Sequence, residues 1–140
     1  SIEKLPEADQ GITMKVFFDF GSTALNEEAK KALDEDLIKR LRENPLLVVE
    51  VGAHTDDVGS ELANITLSQK RAQSIVQYCA DQGISPKKLI SRGYGESDPI
   101  AANKNRDGSD NPQGRAKNRR VEFKVLNELS EESLYDDDDY

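Results

Sequence analysis

Within residues 55–71, Thr55, Asp56, Asn64 and Arg71 supply a carboxylate, a guanidinium and neutral hydrogen-bonding groups around one loop and one helix. In "VGAHTDDVGSELANITLSQKRAQSIVQYC", residues 51–79, a strand end passes through a polar loop into an amphipathic pattern. Leu67, Ile75, Val76 and Cys79 mark its apolar stripe, with Ala72 beside them. Arg71 stands inside that stripe, four residues after Leu67 and four before Ile75. A guanidinium there either bends outward to water, its stem covering apolar neighbours, or meets an anionic partner in a half-buried site. Asn64, seven residues earlier, shares its face. Thr55 and Asp56 lie in the loop that enters the helix, whose free N–H groups and positive dipole end also favour an anion. The set suits a zwitterion, its amine on Asp56 and its carboxylate on Arg71. Each charge-assisted hydrogen bond contributes roughly 1.5–3 kcal/mol before desolvation is subtracted. An Asp56–Arg71 ion pair that ties loop to helix accounts for the same spacing equally well.

Other chemistries find less support. "DDVGSE" lacks the alternating ligands and terminal glutamate of a calcium loop. His54, the one histidine, has no second His or Cys at ligand spacing, which argues against zinc and for a loop-supporting hydrogen bond. Asp56 and Asp57 are adjacent, so their side chains diverge, and no general acid accompanies them. Cys79, the one cysteine, falls in the apolar stripe as a small core residue and permits no internal disulfide. "GRAKNRRVEF", 114–123, places Arg115, Lys117, Arg119 and Arg120 within six residues, but no aromatic platform and no net positive charge accompany them. Neither a metal, a cofactor, a nucleic acid nor a catalytic residue is expected.

The elements that must hold these residues follow from periodicity. "MKVFFDF", 14–20, reads as a strand broken by "GST". From Asn26 a helix places Ala29, Leu33, Leu37, Ile38 and Leu41 on one side and stops at "ENP". "LLVVEV", 46–51, is a strand apolar enough to be buried on both faces. Ser60 is an N-cap for the second helix, which runs to Gln82 before Gly83 and Pro86. "KLISRGYG" and "VEFKVL", 121–126, are strands separated by a polar loop, 95–114, that has room for a helical turn. Strands alternating with amphipathic helices imply crossover units on one sheet, closed by a return strand.

At 140 residues the chain fits one domain. No apolar run approaches the roughly 18 residues of a membrane span, and residues 1–15 lack a signal peptide's pattern. The chain reads as soluble, or as a portion of something longer. Net charge is −8, yet seven acidic residues and no Lys or Arg lie from Asn127 onward, leaving 20 acidic residues against 19 basic before it. Three segments are therefore expected: a lead-in over 1–13, a folded domain over 14–126 and an acidic, solvated tail over 127–140.

"HTDDVGSELANITLSQKRAQSIVQYCADQGISPKKLISRGYGESDPIAAN" followed by "GRAKNRRVEF" resembles the OmpA-like peptidoglycan-binding domain of outer-membrane porins, peptidoglycan-associated lipoproteins and flagellar stator proteins. The resemblance covers about residues 14–126. It implies an α/β two-layer sandwich with a mixed four-stranded sheet and helices on one face, a βαβαβ unit plus a return strand. It also implies a noncatalytic periplasmic module that binds the peptidoglycan stem peptide and tethers an outer-membrane or envelope assembly to the wall. By this resemblance Asp56 of the His-Thr-Asp motif and Arg71 of the Leu-Ser-x-x-Arg-Ala motif clasp the amino-acid end of meso-diaminopimelate. Thr55, Asn64 and Leu67 line the pocket, the backbone of Phe20 and Gly21 forms the opposite wall, and Arg119 or Arg120 of the Asn-Arg-Arg motif adds a donor, Arg119 being favoured. Ala53 stands where glycine is usual, and Gly21 where many members carry Asp or Asn. The latter favours the alternative of a protein-interaction module that has lost the ligand. The insert 104–113 is similar to that of Bacteroidetes relatives, whose copies often end envelope or secretion-system proteins.

Overall fold

The computed structural model describes residues 11–14, 18 and 21–128, with side chains for Phe18 and for 21–126. Most of the expected lead-in, Phe20 and residues 129–140 lie outside the described residues.

Asn26 opens the first helical segment, its Oδ1 accepting from the Ala29 amide at 2.8 Å, with Glu27 and Glu28 in the first turn. Helix α1 (Glu27–Leu33), a π-helical stretch (Asp34–Ile38) and α2 (Lys39–Glu43) follow one another without a break. Ala29, Leu33, Leu37, Ile38 and Leu41 are all buried, as the periodicity required. The π turn is the part that periodicity did not anticipate, and it seats the adjacent Leu37 and Ile38 together in the core. Buried Lys88 closes the far end, donating from Nζ to the Leu41 carbonyl at 2.8 Å, where a cation suits the helix C-terminus.

Strand β2 (Leu47–His54) is buried along its whole length. It runs parallel to β3 (Leu89–Gly95) and antiparallel to β4 (Arg120–Glu128). These three form a mixed sheet, and the four-residue β1 (Gly11–Met14) adds antiparallel along β4, giving the order β1-β4-β2-β3. Pairing therefore begins at Gly11, before the expected strand at 14–20, and Phe18 lies outside any strand. β4 likewise continues past the expected limit of 126 to Glu128, because β2 offers it partners as far as Leu47.

Leu47, Val49, Val51 and Ala53 of β2 join Val121 and Phe123 of β4 in one core with the helices. The alternate residues Glu50, Gly52 and His54 face the other side of the sheet. The expectation that β2 is buried on both faces holds, but its second cover is the side chains of neighbouring strands. Tyr94 stacks on His54 with ring centroids 4.7 Å apart and donates its hydroxyl to Glu50 at 2.6 Å.

Helix α3 (Glu61–Asp81) begins at Ser60, whose Oγ accepts from the Ala63 amide at 3.1 Å. At its other end Gly83, at φ +94°, allows the Gly83 amide to reach the Ala80 carbonyl and Ile84 to reach Cys79. The helix crosses β3 so closely that a Cβ on Gly93 would fall 2.6 Å from the Gln69 Cα. Gln69 and Ser68 then hydrogen-bond the edge strand, accepting from the amides of Gly93 at 2.7 Å and Gly95 at 2.9 Å. That edge is thereby closed to further pairing at those amides.

Candidate functional site

The loop after β2 carries Thr55, Asp56 and Asp57, and its conformation is fixed from several sides. The Thr55 amide donates to the Gly95 carbonyl at 2.8 Å, and its hydroxyl to the Asp56 carbonyl at 2.7 Å. Asp56 Oδ1 accepts from the Val58 amide at 3.0 Å, a side-chain turn that holds the carboxylate against its own backbone. Asn64 is buried, and its amide nitrogen donates to the Val58 carbonyl at 3.1 Å and to Glu96 Oε1 at 3.1 Å. It also points at the Asp56 carbonyl, 3.3 Å away. Asn64 thus braces the loop, with its side chain largely committed to that work.

The Asp56 carboxylate, in a residue only 8% exposed, meets two guanidiniums. Arg119 Nη1 donates to Oδ2 at 2.7 Å, and Arg115 Nη1 lies 3.5 Å from the same oxygen. Arg115 is itself gripped by Asp110 through bonds of 2.6 and 2.7 Å. That grip raises the Arg115 pKa and lowers that of Asp110. Both arginines come from α4 (Pro112–Asn118) and its C-cap, four residues apart and so on one face. Arg115 is a site residue that the sequence reading left in a generic basic cluster. The signal that could have found it is this spacing to Arg119.

Three consecutive residues then divide the labour. Asn118, wholly buried, accepts from the amides of Ile100 and Ala101 and donates to the Ala101 carbonyl and Asn103 Oδ1, all within 2.8–3.0 Å. Arg120, 3% exposed, binds Glu122 at 2.7 Å and the Asp98 carbonyl at 2.9 Å. Arg119 between them reaches Asp56 with its side chain 48% exposed. Arg119 rather than Arg120 therefore faces the candidate site.

A second feature runs beside this cluster. Gly21 and Thr23 on one side, and Ser60, Leu62, Ala63, Thr66, Leu67 and Lys70 of the α3 region on the other, line an open cleft of about 550 Å³. Gly21 adopts φ +67°, a conformation that favours glycine, and a Cβ there would meet nothing within 4 Å among the described residues. Arg71 holds the cleft together: its Nε donates to the Ser22 carbonyl at 3.0 Å, and its guanidinium lies 4.8 Å from the Phe18 ring centroid. Burial pulls its pKa down. The buried seam of α3 is Asn64, Ser68, Ala72, Ile75 and Cys79, of which Ala72, Ile75 and Cys79 were in the expected stripe. Leu67, Arg71 and Val76 are half-buried along its flank. Arg71 is thus at the border of the apolar face.

The structure brings Thr55, Asp56, Asn64 and Arg119 into one cluster and places Gly21 and Leu67 along the cleft, with Arg71 bonded to the Ser22 carbonyl between Gly21 and Thr23. Helical rise sets Arg71 roughly 10 Å further along α3 than Asn64. Phe20 lies outside the described residues. Among the described residues no group of three or more His, Cys, Asp or Glu side chains is arranged to hold a metal ion.

The sequence profile of the OmpA family matches residues 17–118. The chain belongs to the OmpA family. Curated relatives include outer membrane protein A of Bordetella avium, 36% identical over 110 residues that make up 79% of this chain and 53% of that protein. Another is photosystem I P700 chlorophyll a apoprotein A2 of Gloeobacter violaceus, 37% identical over 116 residues, 81% of this chain but 13% of that protein. The chain thus spans about half or less of these relatives' lengths. Among solved structures, a putative MotB-like protein from Desulfovibrio vulgaris is 29% identical with a TM-score of 0.69, covering 86% of this chain and 76% of that one. The cell wall anchor of the T6SS from Pseudomonas aeruginosa is 25% identical with a TM-score of 0.67, covering 83% and 80%. OmpA-family domains are structural and binding modules and not enzymes. The relatives named here include outer-membrane and cell-wall-anchoring proteins, and no described helix of this chain is long and apolar enough to cross a membrane.

Proposed function

We propose that this OmpA-family domain binds peptidoglycan noncovalently in the periplasm, through the diaminopimelate residue of the stem peptide, and so anchors an outer-membrane or envelope assembly to the cell wall. The observation that carries the reading is the buried Asp56 carboxylate bonded by Arg119, together with an open cleft lined by Gly21 and Leu67, between whose residues Gly21 and Thr23 the Ser22 carbonyl accepts from Arg71. The guanidiniums of Arg115 and Arg119 meet the carboxylates of Asp56 and Asp110. The ammonium of a zwitterionic end would pair with Asp56, while its carboxylate draws on Arg71 and Arg119. Thr55, Asn64 and Leu67 shape the wall, and the Gly21 backbone faces them across the cleft. Modest affinity for one stem suffices, because many stems on one polymer supply retention by avidity.

One observation favours a second reading, an interaction module of an envelope or secretion complex without the ligand. Asp56 already has two cations, Arg119 and Arg115, so an incoming ammonium must share or displace Arg119. Calorimetric titration with a diaminopimelate-containing stem peptide separates the two. Wild type is expected to bind, Arg71→Ala to lose roughly 10-fold to 150-fold in affinity while remaining folded, and a lysine-type stem, which lacks the second carboxylate, to bind comparably poorly. Equal binding by Arg71→Ala, or no binding by wild type in calorimetry and in a sacculus-retention assay, would leave the interaction module.

A further inference from the structure

Residues 104–110, all exposed, form a closed hairpin that ends against the candidate site. Lys104 bridges Asp110 antiparallel, the Asn105 amide donates to the Ser109 carbonyl at 2.9 Å, and the Gly108 amide donates to the Asn105 carbonyl at 2.9 Å. The Asn105 side chain also donates to the Asp110 carbonyl at 3.0 Å. On the other side of Asp110, Asn111 caps α4, its Oδ1 accepting from the Gly114 amide and its own amide donating to the Asn103 carbonyl, each at 3.2 Å. The Asp110 backbone is thus held from both directions, although its side chain is 58% exposed.

From that fixed point Asp110 takes one whole edge of the Arg115 guanidinium, Nε donating to Oδ1 at 2.6 Å and Nη2 to Oδ2 at 2.7 Å. Only Nη1 is left toward Asp56, 3.5 Å from Oδ2 and beyond the range of a strong hydrogen bond. Arg119 bonds that same oxygen at 2.7 Å. The carboxylates of Asp56 and Asp110 and the guanidiniums of Arg115 and Arg119 cancel in charge. We propose that Asp110 is a positioning residue for the ammonium of the ligand: by occupying Arg115 it keeps a second guanidinium from closing on Asp56, and it cancels a charge that would repel a cation there. The inference rests on the zwitterion reading of the site. Without the Asp110 carboxylate the cluster holds one positive charge in excess, and the freed Nε–Nη2 edge turns to Asp56, the other carboxylate already beside it. Asp56 would then be closed by two arginines, an arrangement better suited to a simple anion than to a zwitterion. The hairpin therefore sets which charge type the Asp56 carboxylate accepts, which gives the insert a role at a site to which it donates no direct ligand contact.

Asp110→Asn in the full chain tests it, since the substitution keeps the shape of the side chain and removes its charge. In calorimetry with a diaminopimelate-containing stem peptide, binding should weaken roughly 3-fold to 10-fold, the effect of one partly screened unit charge near the ammonium. Asp110→Glu, which restores the carboxylate, should recover the affinity. The loss should largely vanish when Arg115→Gln is already present, because the arginine that Asp110 restrains is then gone; a purely structural role of the hairpin would leave the loss in place. Equal stem binding by wild type and Asp110→Asn, no recovery in Asp110→Glu, or a loss undiminished over Arg115→Gln would overturn the proposal. If the wild type binds no stem at all, the zwitterion reading falls by itself, and a crystal structure of Asp110→Asn then decides the positioning role. Arg115 Nε and Nη2 bonded to Asp56 are expected there, and Arg115 still held away from Asp56 would overturn it.

Discussion

Replacing Gly93 with alanine forces α3 away from the sheet, and the size of the penalty can be worked from the crossing itself. The added Cβ would sit 2.6 Å from the Gln69 Cα and 2.7 Å from Ser68 Oγ, where ordinary contact begins at 3.4 Å. The obstacle is helix backbone, with the Gln69 amide nitrogen nearer still than its Cα, so relief requires the helix to lift by about 1 Å rather than a rotamer to turn. Overpacking of this kind costs about 1–3 kcal/mol. The lift also stretches the bonds from the Gly93 amide to Gln69 Oε1, 2.7 Å, and from the Gly95 amide to Ser68 Oγ, 2.9 Å. Each is worth roughly 1 kcal/mol. The expected total is about 4 kcal/mol, a large share of a typical domain stability of about 5–15 kcal/mol. In urea, at about 2 kcal/mol per molar, the midpoint should fall by about 2 M with little change in slope. Gly83→Ala is the control. It has φ +94° and nothing within 4 Å, so only backbone strain of roughly 1–2 kcal/mol applies. A Gly93→Ala cost no greater than that of Gly83→Ala would refute the claim that helix and strand meet there at backbone distance.

Lys88→Met should destabilise by about 1–3 kcal/mol in chemical denaturation, because the Leu41 carbonyl loses a buried donor while the apolar volume is kept. His54 predicts a pH dependence. Burial lowers its pKa below 6.5, with nearby Arg120 adding to this, while Glu122, 3.9 Å away, acts in the opposite sense. Below 6.5 the unfolded chain therefore takes up a proton that the folded chain resists. Its contribution to stability is full above 6.5 and is lost as pH falls through the folded value. Urea midpoints measured from pH 8 to 5 should show this loss in wild type and a flatter profile in His54→Phe.

What the sequence revealed depended on whether apolar residues alone defined the packing. Ala29, Leu33, Leu37, Ile38 and Leu41 form such a face, and all five are buried. On α3 Ala72, Ile75 and Cys79 of the expected stripe are buried, while Leu67 and Val76 fall on its flank and Asn64 and Ser68 complete the seam as buried hydrogen-bonding residues. A pattern built from hydrophobicity cannot register a polar residue that is buried because it satisfies a loop or a strand edge. The same limit applies to β2, whose second face is closed by Tyr94 and charged neighbours. The π turn leaves no periodic mark over five residues. For the candidate site, Asp56, Asn64 and Arg119 were legible from motif and spacing and do meet. Arg115 escaped notice because its partners, Asp110 and Asp56, are separated from one another by more than fifty residues of chain.

The dependence of the site on a polar loop has a structural cause in the run Asn118–Arg119–Arg120. Asn118 satisfies its amide entirely within residues 100–103, and Arg120 spends its donors on Asp98, Asn118 and Glu122. Those two fix the backbone on either side of Arg119. Gly114 lets α4 pass close to the same loop, since any Cβ there would run into the Ala102 carbonyl oxygen. With its neighbours immobilised, Arg119 can hold a bond to Asp56 while half its side chain remains in water. An exposed arginine ordinarily gives up much of an ion pair's value to side-chain entropy and solvent screening. Here the backbone is already ordered by its neighbours, so only the side chain remains to be restrained. The residues that tune this site therefore include Asn118, Arg120 and Gly114, none of which faces the carboxylate.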